Sequence, residues 1–535
     1  MTSKTWDHAS LEQKVGQLFM CGFDALTVNE HAEALVREYH IGGIVYFRRN
    51  VRDLEQVAAL SSSLQSLAGS AGQPPLLISI DQEGGMVARI DQQGMSRIPG
   101  NMALGAAGSP EYCYQAAKIS GEELRSLGIN LNLAPCLDVN NNPFNPVIGV
   151  RSFGEDPAAV AELGTAAIRG YQQAGVSAAA KHFPGHGDTS VDSHLGLASV
   201  PHGRERLEGI ELVPFKEAIR EGVDAIMTAH VGFPAIEPDG TPATLSRAVL
   251  SGLLREELGF EGLILTDCLE MHAIAKEYGV AEGAVRAVLA GADCILISHT
   301  RDEQIAAIEA VVQAVRSGRI TEARIEESLK RILELKQRRL SEGAGRGQLE
   351  TVTTATEKET LLKEIAGKAI TLVKNKGQLP LDSTKDLLVI WPETGITTQV
   401  DEAWSHMYTL GDSLKKRMPQ TEELVVSTSL SDEGLQSAIQ KARSFSQVIA
   451  VTYTSESRLS EGQRRLVQGL NSQSPEKLIV VSTRNPYDLN EVPEVPAYLC
   501  CYENTPVFMD VLADVLIGAA AAEGKLPVTL NISEK

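Results

Sequence analysis

The densest group of chemically active side chains lies in one short segment, residues 181–194. It reads Lys-His-Phe-Pro-Gly-His-Gly-Asp-Thr-Ser-Val-Asp-Ser-His, with three histidines and two aspartates. Imidazole titrates near neutral pH and a neighbouring carboxylate raises its proton affinity, so histidines beside aspartates are suited to acid/base chemistry. The Pro-Gly turn and the small polar residues predict a loop. The segment also permits a metal site, but its spacing fits no tight zinc pattern and Lys181 would repel a cation, so we expect no metal.

The elements that position these groups are predicted from the first 340 residues, in which short apolar runs alternate with longer amphipathic stretches. This alternation is typical of repeated βα units. The eight candidate strands are 17–21, 41–47, 76–82, 129–139, 176–182, 225–230, 263–267 and 293–298. Eight such units predict an α/β fold with an N-terminal (β/α)₈ TIM-type barrel. A doubly wound open sheet is the alternative.

Polar residues stand at the carboxyl ends of most candidate strands. They are Asp81, Asp138, Lys181, His182, His230, Asp267, Ser298 and His299. In a (β/α)₈ barrel these ends meet at one rim, where the active site lies, whereas the opposite rim serves stability. Packing alone does not explain so many ionisable groups at one rim. The pattern therefore favours the barrel over the open sheet and predicts an active site at its mouth.

The rest of the chain predicts a second domain. Residues 341–355 are polar and Gly-rich, as in a linker, and a helix is expected over about 356–373. Apolar runs then follow at 387–391, 424–427, 448–453, 478–482 and 497–501. We assign 1–340 to the barrel, 341–372 to a linker and connecting helix, and 373–535 to a C-terminal α/β sandwich of five or six strands. Its loop 502–505 is a candidate for reaching the substrate.

The amino-acid composition argues against some classes of binding partner. The net charge of −20 argues against nucleic acid and anionic membranes, which recruit clustered lysines and arginines. We find no apolar stretch of membrane-spanning length and no nucleotide-binding glycine loop, and we expect no secretory signal. The seven cysteines lie mostly in apolar, strand-like runs, which indicates a reducing compartment. We therefore expect a cytoplasmic monomer or homodimer without cofactors.

Several elements resemble the family 3 glycoside hydrolases, in their β-N-acetylglucosaminidase branch. Besides Lys-His-Phe-Pro-Gly-His-Gly and Asp-Ser-His in 181–194, they are Asp-Gln-Glu-Gly-Gly at 81–85, Arg-Ser-Phe-Gly-Glu-Asp-Pro at 151–157, Met-Thr-Ala-His at 227–230, Leu-Thr-Asp at 265–267 and Gly-Lys-Leu-Pro-Val at 524–528. The resemblance spans nearly the whole chain. It implies a retaining exo-β-N-acetylglucosaminidase that removes terminal β-GlcNAc from muropeptide or chitin-type oligosaccharides. The chain departs from the family pattern at Met86, where arginine is common.

The resemblance also implies residue roles. Asp267 would be the nucleophile that forms a covalent glycosyl-enzyme, His194 the general acid and base, and Asp192 the partner of His194. The residues expected to bind the sugar are Asp81, Arg89, Arg151, Lys181, His182 and His230. This division agrees with the needs of a retaining glycosidase, which combines one carboxylate at the anomeric carbon with one proton donor on the leaving-group side.

Other interpretations remain at this point. Glu83 is a second candidate acid, and Cys268 beside Asp267 is a candidate thiol nucleophile. A histidine acid carries no fixed negative charge and would not repel phosphate, so a phosphorylase releasing GlcNAc-1-phosphate is the nearest alternative. A β-glucosidase or β-xylosidase and an inactive sugar-binding protein are further alternatives. Substrate-assisted hexosaminidases need an adjacent Asp-Glu pair, which Gln82 interrupts.

Overall fold

The computed structural model describes residues 6, 8–192, 196–340, 353–393, 398, 408–455 and 458–531. The candidate acid His194 and most of the predicted linker lie outside these residues. The first domain is built on eight parallel strands. They are β1 (Phe19–Cys21), β2 (Gly43–Tyr46), β3 (Leu77–Ile80), β4 (Leu131–Asn132), β5 (Ser177–Phe183), β6 (Ala225–Thr228), β7 (Leu263–Leu265) and β8 (Ile295–Ile297).

From β1 to β7 each strand pairs with the next one in the chain, and β1 also pairs with β8. A parallel bridge between Leu265 and Cys294 links the end of β7 to the start of β8. The sheet therefore closes on itself. The predicted (β/α)₈ barrel is confirmed, and the open sheet is excluded.

Helices surround the barrel. They are α1 (Leu11–Gly16), α2 (Glu30–Arg37), α3 (Leu54–Ser70), α4 (Asn101–Ala107), α5 (Pro110–Ser126), α6 (Pro157–Gln173), α7 (Arg204–Gly209), α8 (Val213–Arg220), α9 (His272–Ala275), α10 (Val280–Ala290), α11 (Arg301–Arg316) and α12 (Glu322–Leu340), with a π-helix at Ala248–Glu257. Side-chain caps at Ser10, Asn29, Asp53 and Asp156 accept backbone N–H groups of the first turn. These caps mark where the chain leaves a loop for a helix.

All barrel strands except β5 are shorter than the sequence predicts, and the physical reason is clearest at β1 and β4. Gln17 is the C-cap of α1, so β1 begins at Phe19 rather than at residue 17. The apolar run 129–139 contributes only Leu131–Asn132 to the ladder. Pro135 within that run has no N–H to donate. Beyond Pro135, a parallel bridge between Cys136 and Lys181 still joins this run to β5.

The two rims of the barrel hold different charge pairs. At the amino ends of β6 and β8, the buried carboxylates of Asp224 and Asp293 bind arginines of the surrounding helices. Arg339 Nη2, for example, lies 2.7 Å from Asp224 Oδ2. This rim therefore serves stability, as expected for the amino ends of barrel strands.

The second domain is a six-stranded sheet between helices. Its strands are β9 (Thr371–Asn375), β10 (Leu387–Pro392), β11 (Thr421–Val426), β12 (Gln447–Thr452), β13 (Leu478–Ser482) and β14 (Ala497–Cys500), in the order β9-β14-β13-β12-β10-β11. All pairs are parallel except β9–β14. Helices α13 (Ala355–Ala369), α14 (Leu410–Lys415) and α17 (Pro506–Leu516) pack together, as do α15 (Asp432–Ala442) and α16 (Glu461–Gln473). The predicted α/β sandwich is confirmed.

The connecting helix is shorter than predicted. It ends at Ala369 instead of 373, because Thr371–Asn375 pairs antiparallel with β14 as an edge strand. β-Branched Thr371 and Val373 suit a strand better than the last turn of a helix. Strand β11 likewise begins at Thr421, before the predicted run at 424.

The second domain packs directly on the barrel rim. The Asn140 amide donates to the Tyr487 hydroxyl at 2.8 Å, and the Glu155 N–H donates to the Pro527 carbonyl at 3.1 Å. Met86 is buried within the apolar core of the second domain, where its sulfur accepts from the Tyr453 hydroxyl at 3.8 Å. The departure from the family pattern at this position thus gives the barrel an apolar contact with its neighbour.

Two negative findings concern the described residues. None of their helices is both long and apolar enough to cross a membrane. All seven cysteines are unpaired, and six of them are buried.

The buried carboxyl of Asp488 in the second domain predicts a pH-dependent stability. Burial raises its pKa to about 8, and its polar contact is the Thr452 hydroxyl at 2.5 Å. The folded carboxyl keeps its proton up to that pH, whereas the unfolded one loses it near 3.8. The contribution of Asp488 to folding stability is therefore fully present below the unfolded pKa, and it is lost as pH rises towards 8.

Asp488→Asn cannot ionise, so its melting temperature should gain on the wild type as pH rises from 5 to 8, by about 2–5 °C. Thermal unfolding by circular dichroism at several pH values measures this gain. Asp432→Asn, at a side chain that is 85% exposed, is the matched control and should show none. A difference in melting temperature that does not change with pH would refute the prediction.

Candidate active site

Five ionisable side chains form a charge network at the barrel mouth: Asp81, Glu83, Arg89, Arg151 and Lys181. Lys181 Nζ lies 2.7 Å from both Asp81 Oδ1 and Glu83 Oε1. Arg151 holds Glu83 in a fork, with Nε–Oε2 at 3.0 Å and Nη2–Oε1 at 2.8 Å. Arg89 Nη2 lies 3.6 Å from Asp81 Oδ2. Four of the six residues predicted to bind the sugar are thus brought together, with Glu83 between them.

Backbone geometry fixes the carboxylates of this network. Asp81 follows β3, and Glu83 lies in a hairpin formed by Gln82–Gly84 and Val87–Ala88. The Gln82 amide bonds both the N–H and the carbonyl of Ile90, at 3.1 and 2.9 Å. Gly84 has φ of 100°, and a Cβ there would meet the Pro99 carbonyl oxygen at 2.6 Å. Only glycine fits this turn, which explains the Gly-Gly that follows Glu83.

The network keeps its carboxylates ionised. Burial by itself raises the pKa of Asp81 and Glu83, but Arg151, Lys181 and Arg89 outweigh it, and both pKa values lie below their ordinary range. The same carboxylates raise the pKa of Lys181 against the effect of its burial. Glu83 is therefore ionised at neutral pH, which argues against Glu83 as the general acid.

His182 is oriented by Asp138, which follows β4. His182 Nδ1 lies 2.7 Å from Asp138 Oδ2, and Asp138 Oδ1 accepts the backbone N–H groups of His182 and His186 at 3.2 and 2.6 Å. Burial raises the pKa of the Asp138 carboxyl, but His182 outweighs burial and keeps it low. A carboxylate at Nδ1 makes that nitrogen the donor, so Nε2 faces the site, 3.5 Å from Arg151 Nη2.

Cys136 lies with Asp138 and His182 in a cluster whose ligand atoms are within 4.8 Å of one another. The Cys136 thiol donates to Asp138 Oδ2 at 3.0 Å, and burial raises its pKa well above the ordinary value. A neutral thiol is a poor metal ligand. The hydrogen bonds to the carboxylate therefore account for the cluster without an ion.

The segment that leads to the predicted acid is anchored by Asn145, which sequence reasoning did not single out. The Asn145 amide donates to the carbonyls of His186 and Gly187, at 2.8 and 3.0 Å. Burial lowers the pKa of His186 to about 4, so its ring is neutral. Asp192 is buried beyond this anchor. The only sequence signal for Asn145 is the Asn-Pro pair, which is typical of a turn.

Asp267 lies just beyond β7 and is half-buried, with the Cys268 N–H donating to its Oδ1 at 2.7 Å. His230, which follows the neighbouring strand β6, supports this turn. Its Nε2 donates to the Cys268 carbonyl at 2.9 Å, and its Nδ1 contacts the Thr244 hydroxyl at 2.8 Å. The structure thus places His230 behind the predicted nucleophile, with both ring nitrogens engaged by the protein.

Cys268 is not equipped to act as a nucleophile. Burial, together with the nearby Glu270, raises its pKa to about 12, so the thiol is protonated at neutral pH. Glu270 accepts the N–H groups of His299 and Thr300 at 2.7 and 2.8 Å. Both oxygens are engaged at the start of α11, which explains the proximity of Cys268, Glu270 and His299.

The loop 502–505 packs beneath the hairpin that carries Glu83. The Glu503 carboxyl is buried, and it accepts the Gly100 N–H and the Thr505 hydroxyl, both at 2.9 Å. Burial raises its pKa to about 7. A Cβ on Gly85 would lie 4.0 Å from Glu503 Oε1, so Glu503 sits beneath the glycine turn that presents Glu83.

Two sequence models of one family match the chain. The "Glycosyl hydrolase family 3 N terminal domain" covers residues 10–335, and the family 3 C-terminal domain covers 370–535. This chain belongs to glycosyl hydrolase family 3. It is therefore a glycoside hydrolase, and the resemblance read from its motifs is confirmed.

Among relatives, β-hexosaminidase A of Pseudoalteromonas piscicida is 34% identical, with 96% of this chain and 93% of the relative covered. A β-N-acetylglucosaminidase/β-glucosidase of Cellulomonas fimi is 30% identical over 97% of this chain and 93% of its own. A solved family 3 β-N-acetylglucosaminidase from Paenibacillus sp. str. FPU-7 is 51% identical, with a TM-score of 0.92 over 98% of this chain and 99% of that chain.

The orientation of His182 by Asp138 predicts the effect of Asp138→Asn. An asparagine in either amide orientation places an N–H against His182 Nδ1 or against the two backbone donors. We expect kcat/KM to fall about 100-fold, as when a supporting carboxylate is lost behind an active-site histidine.

Asp224→Asn is the matched control, because it removes a buried carboxylate from the opposite rim. It should lower the melting temperature and leave kcat/KM within twofold of the wild type. Steady-state kinetics and thermal unfolding of both variants test this contrast. Equal losses of kcat/KM in the two would mean that Asp138 acts on stability alone.

Proposed function

We propose that the enzyme is a retaining exo-β-N-acetylglucosaminidase that acts through a covalent glycosyl-enzyme. The observation that carries the proposal is the half-buried carboxylate of Asp267, at the end of β7, on the same rim as the charge network. Support for the sugar comes from the end-to-end match to a family 3 β-N-acetylglucosaminidase at 51% identity. The relatives named β-hexosaminidase point the same way.

In the first step, Asp267 attacks the anomeric carbon as the bond to the leaving oxygen breaks. His194, which lies outside the described residues, gives its proton to that oxygen, and Asp192 stabilises the imidazolium. In the second step, His194 takes a proton from water, and the water oxygen displaces Asp267 from the anomeric carbon. Two inversions give net retention.

The charge network would bind the non-reducing sugar. Asp81 is ionised and accepts hydrogen bonds from hydroxyl groups, while Lys181 and Arg89 donate to sugar oxygens. Because these charges already pair with one another in a fixed geometry, little reorganisation is needed when the sugar enters. The second domain packs on the loops after β3 and β4, which limits the mouth on that side and favours action at a chain end.

The proposed substrates are small oligosaccharides or glycopeptides with a terminal β-GlcNAc, from cell-wall fragments or chitin-type chains. We place the enzyme in the cytoplasm, and its seven unpaired cysteines fit a reducing compartment. Water is the proposed acceptor. Phosphate is the competing acceptor, because a neutral histidine base does not repel it.

Product analysis by NMR tests the reaction. With an aryl β-N-acetylglucosaminide as substrate, we expect β-GlcNAc as the first product, followed by slow mutarotation, with and without phosphate in the buffer. Initial α-GlcNAc would contradict the retaining mechanism. GlcNAc-1-phosphate formed at the expense of free sugar would identify a phosphorylase. Turnover of the matching glucoside or xyloside in preference to the GlcNAc substrate would refute the proposed sugar.

A further inference from the structure

A second pair of an aspartate and a histidine lies beside the segment that carries the predicted acid, and it has no role in the mechanism above. His202 Nε2 donates to Asp188 Oδ2, and both side chains are partly buried. The two residues are 14 positions apart in the chain. Asp192 and His194 lie between them, so the contact joins the two ends of the segment that holds the proposed acid and its partner.

The outgoing end of this segment is fixed to the loop after β4. Gly187 packs so closely on that loop that a Cβ at this position would collide with the Val139 carbonyl oxygen. The Asn145 amide donates to the Thr189 hydroxyl at 3.2 Å. Asp188 lies between Gly187 and Thr189, so its backbone is held on both sides and its side chain starts from a fixed position.

The returning end of the segment is fixed to a different part of the rim. Ala198–Ser199 forms a parallel ladder with Val231–Gly232, which directly follows His230. His202 comes after this ladder, just before α7 begins at Arg204. The hydrogen bond between His202 and Asp188 therefore connects two ends that are anchored separately, one beside β4 and one beside β6.

A chain of charged side chains supports this hydrogen bond. Arg206 in α7 has its Nη2 3.7 Å from Asp188 Oδ2 and 3.3 Å from Glu211 Oε1. Glu211 is 1% exposed, and it accepts the Asn141 amide at 2.9 Å. The guanidinium thus compensates both carboxylates, and the buried one fixes its position. A contact between two anchored ends restricts the conformations that are open to the residues between them.

We propose that Asp188 and His202 act together as positioning residues for the acid/base pair of the mechanism above. The inference rests on the proposed function. The two residues hold Asp192 and His194 where the leaving oxygen receives its proton. Proton transfer needs a hydrogen-bond distance, so a displacement of about 1 Å removes much of the effect of an acid. Asp267 and the charge network lie on other loops, and loss of the pair should leave them in place.

Two substrates with the same GlcNAc unit separate positioning of the acid from damage to the whole site. The leaving sugar of N,N′-diacetylchitobiose needs a proton, whereas the phenolate released from 2,4-dinitrophenyl β-N-acetylglucosaminide does not. We expect Asp188→Ala and His202→Ala to lower kcat/KM about tenfold on chitobiose and to leave the dinitrophenyl substrate within about twofold. His202→Gln keeps an N–H donor close to the Nε2 position and should restore most of the chitobiose activity.

The double variant Asp188→Ala/His202→Ala tests whether the two residues act as a pair. It should lose no more on chitobiose than either single variant, because removal of one partner already breaks the contact. Arg204→Gln is the matched control, since Arg204 also lies at the start of α7 but pairs with Glu208 and Glu257. It should leave both substrates unchanged.

Equal losses on the two substrates in Asp188→Ala would overturn the positioning of the acid, and so would unchanged turnover of both. Losses that add up in the double variant would overturn the pairing. His194→Ala distinguishes these results from a failure of the proposed function, because it should spare the dinitrophenyl substrate and lose more on chitobiose than Asp188→Ala does. If His194→Ala lost activity on both substrates equally, or on neither, the proposed acid itself would be wrong and this inference with it.

Discussion

Removing charge from water is costly, and the mouth of this barrel buries several charges side by side. Lys181 is 2% exposed and touches two carboxylates at 2.7 Å, and Glu83 binds both Lys181 and Arg151. Each charge is tolerated because its partners compensate for its desolvation. Removing one charge would leave its partners buried and uncompensated. The ends of β3 and β5, the glycine turn and the Arg151 segment must therefore keep one relative position. Barrel closure provides it.

The second domain is part of this arrangement as well as a cover for the barrel. Met86 is buried in the core of the second domain, and Glu503 lies beneath the glycine turn. Both contacts fall on the hairpin that presents Glu83 to Lys181 and Arg151. The position of the buried charges thus depends on packing between domains. This dependence gives a physical reason for a catalytic barrel to keep a second domain.

Sequence periodicity was sufficient for the barrel, the second sheet and the grouping of Asp81, Lys181 and Asp267 at one rim. Boundaries were less predictable, because they depend on partners elsewhere: the edge strand at Thr371–Asn375 exists only through its pairing with β14. The role of Glu83 was also hidden. Its partner Arg151 lies 68 residues away, and a carboxylate before two glycines resembles a turn residue as much as a buried ion pair. The sequence indicates only a turn at Asn145, and gives no sign that this side chain anchors another loop.

If Asp267 is the nucleophile, it forms a covalent bond to the sugar during turnover. A 5-fluoro analogue of GlcNAc β-fluoride slows the second step more than the first, so the intermediate accumulates and can be located by peptide mass spectrometry. We expect time-dependent inactivation with one fluorosugar on the peptide that contains Asp267, and fragmentation that places it on that residue. A label on any other residue, or continued turnover with no labelled peptide, would contradict Asp267 as the nucleophile.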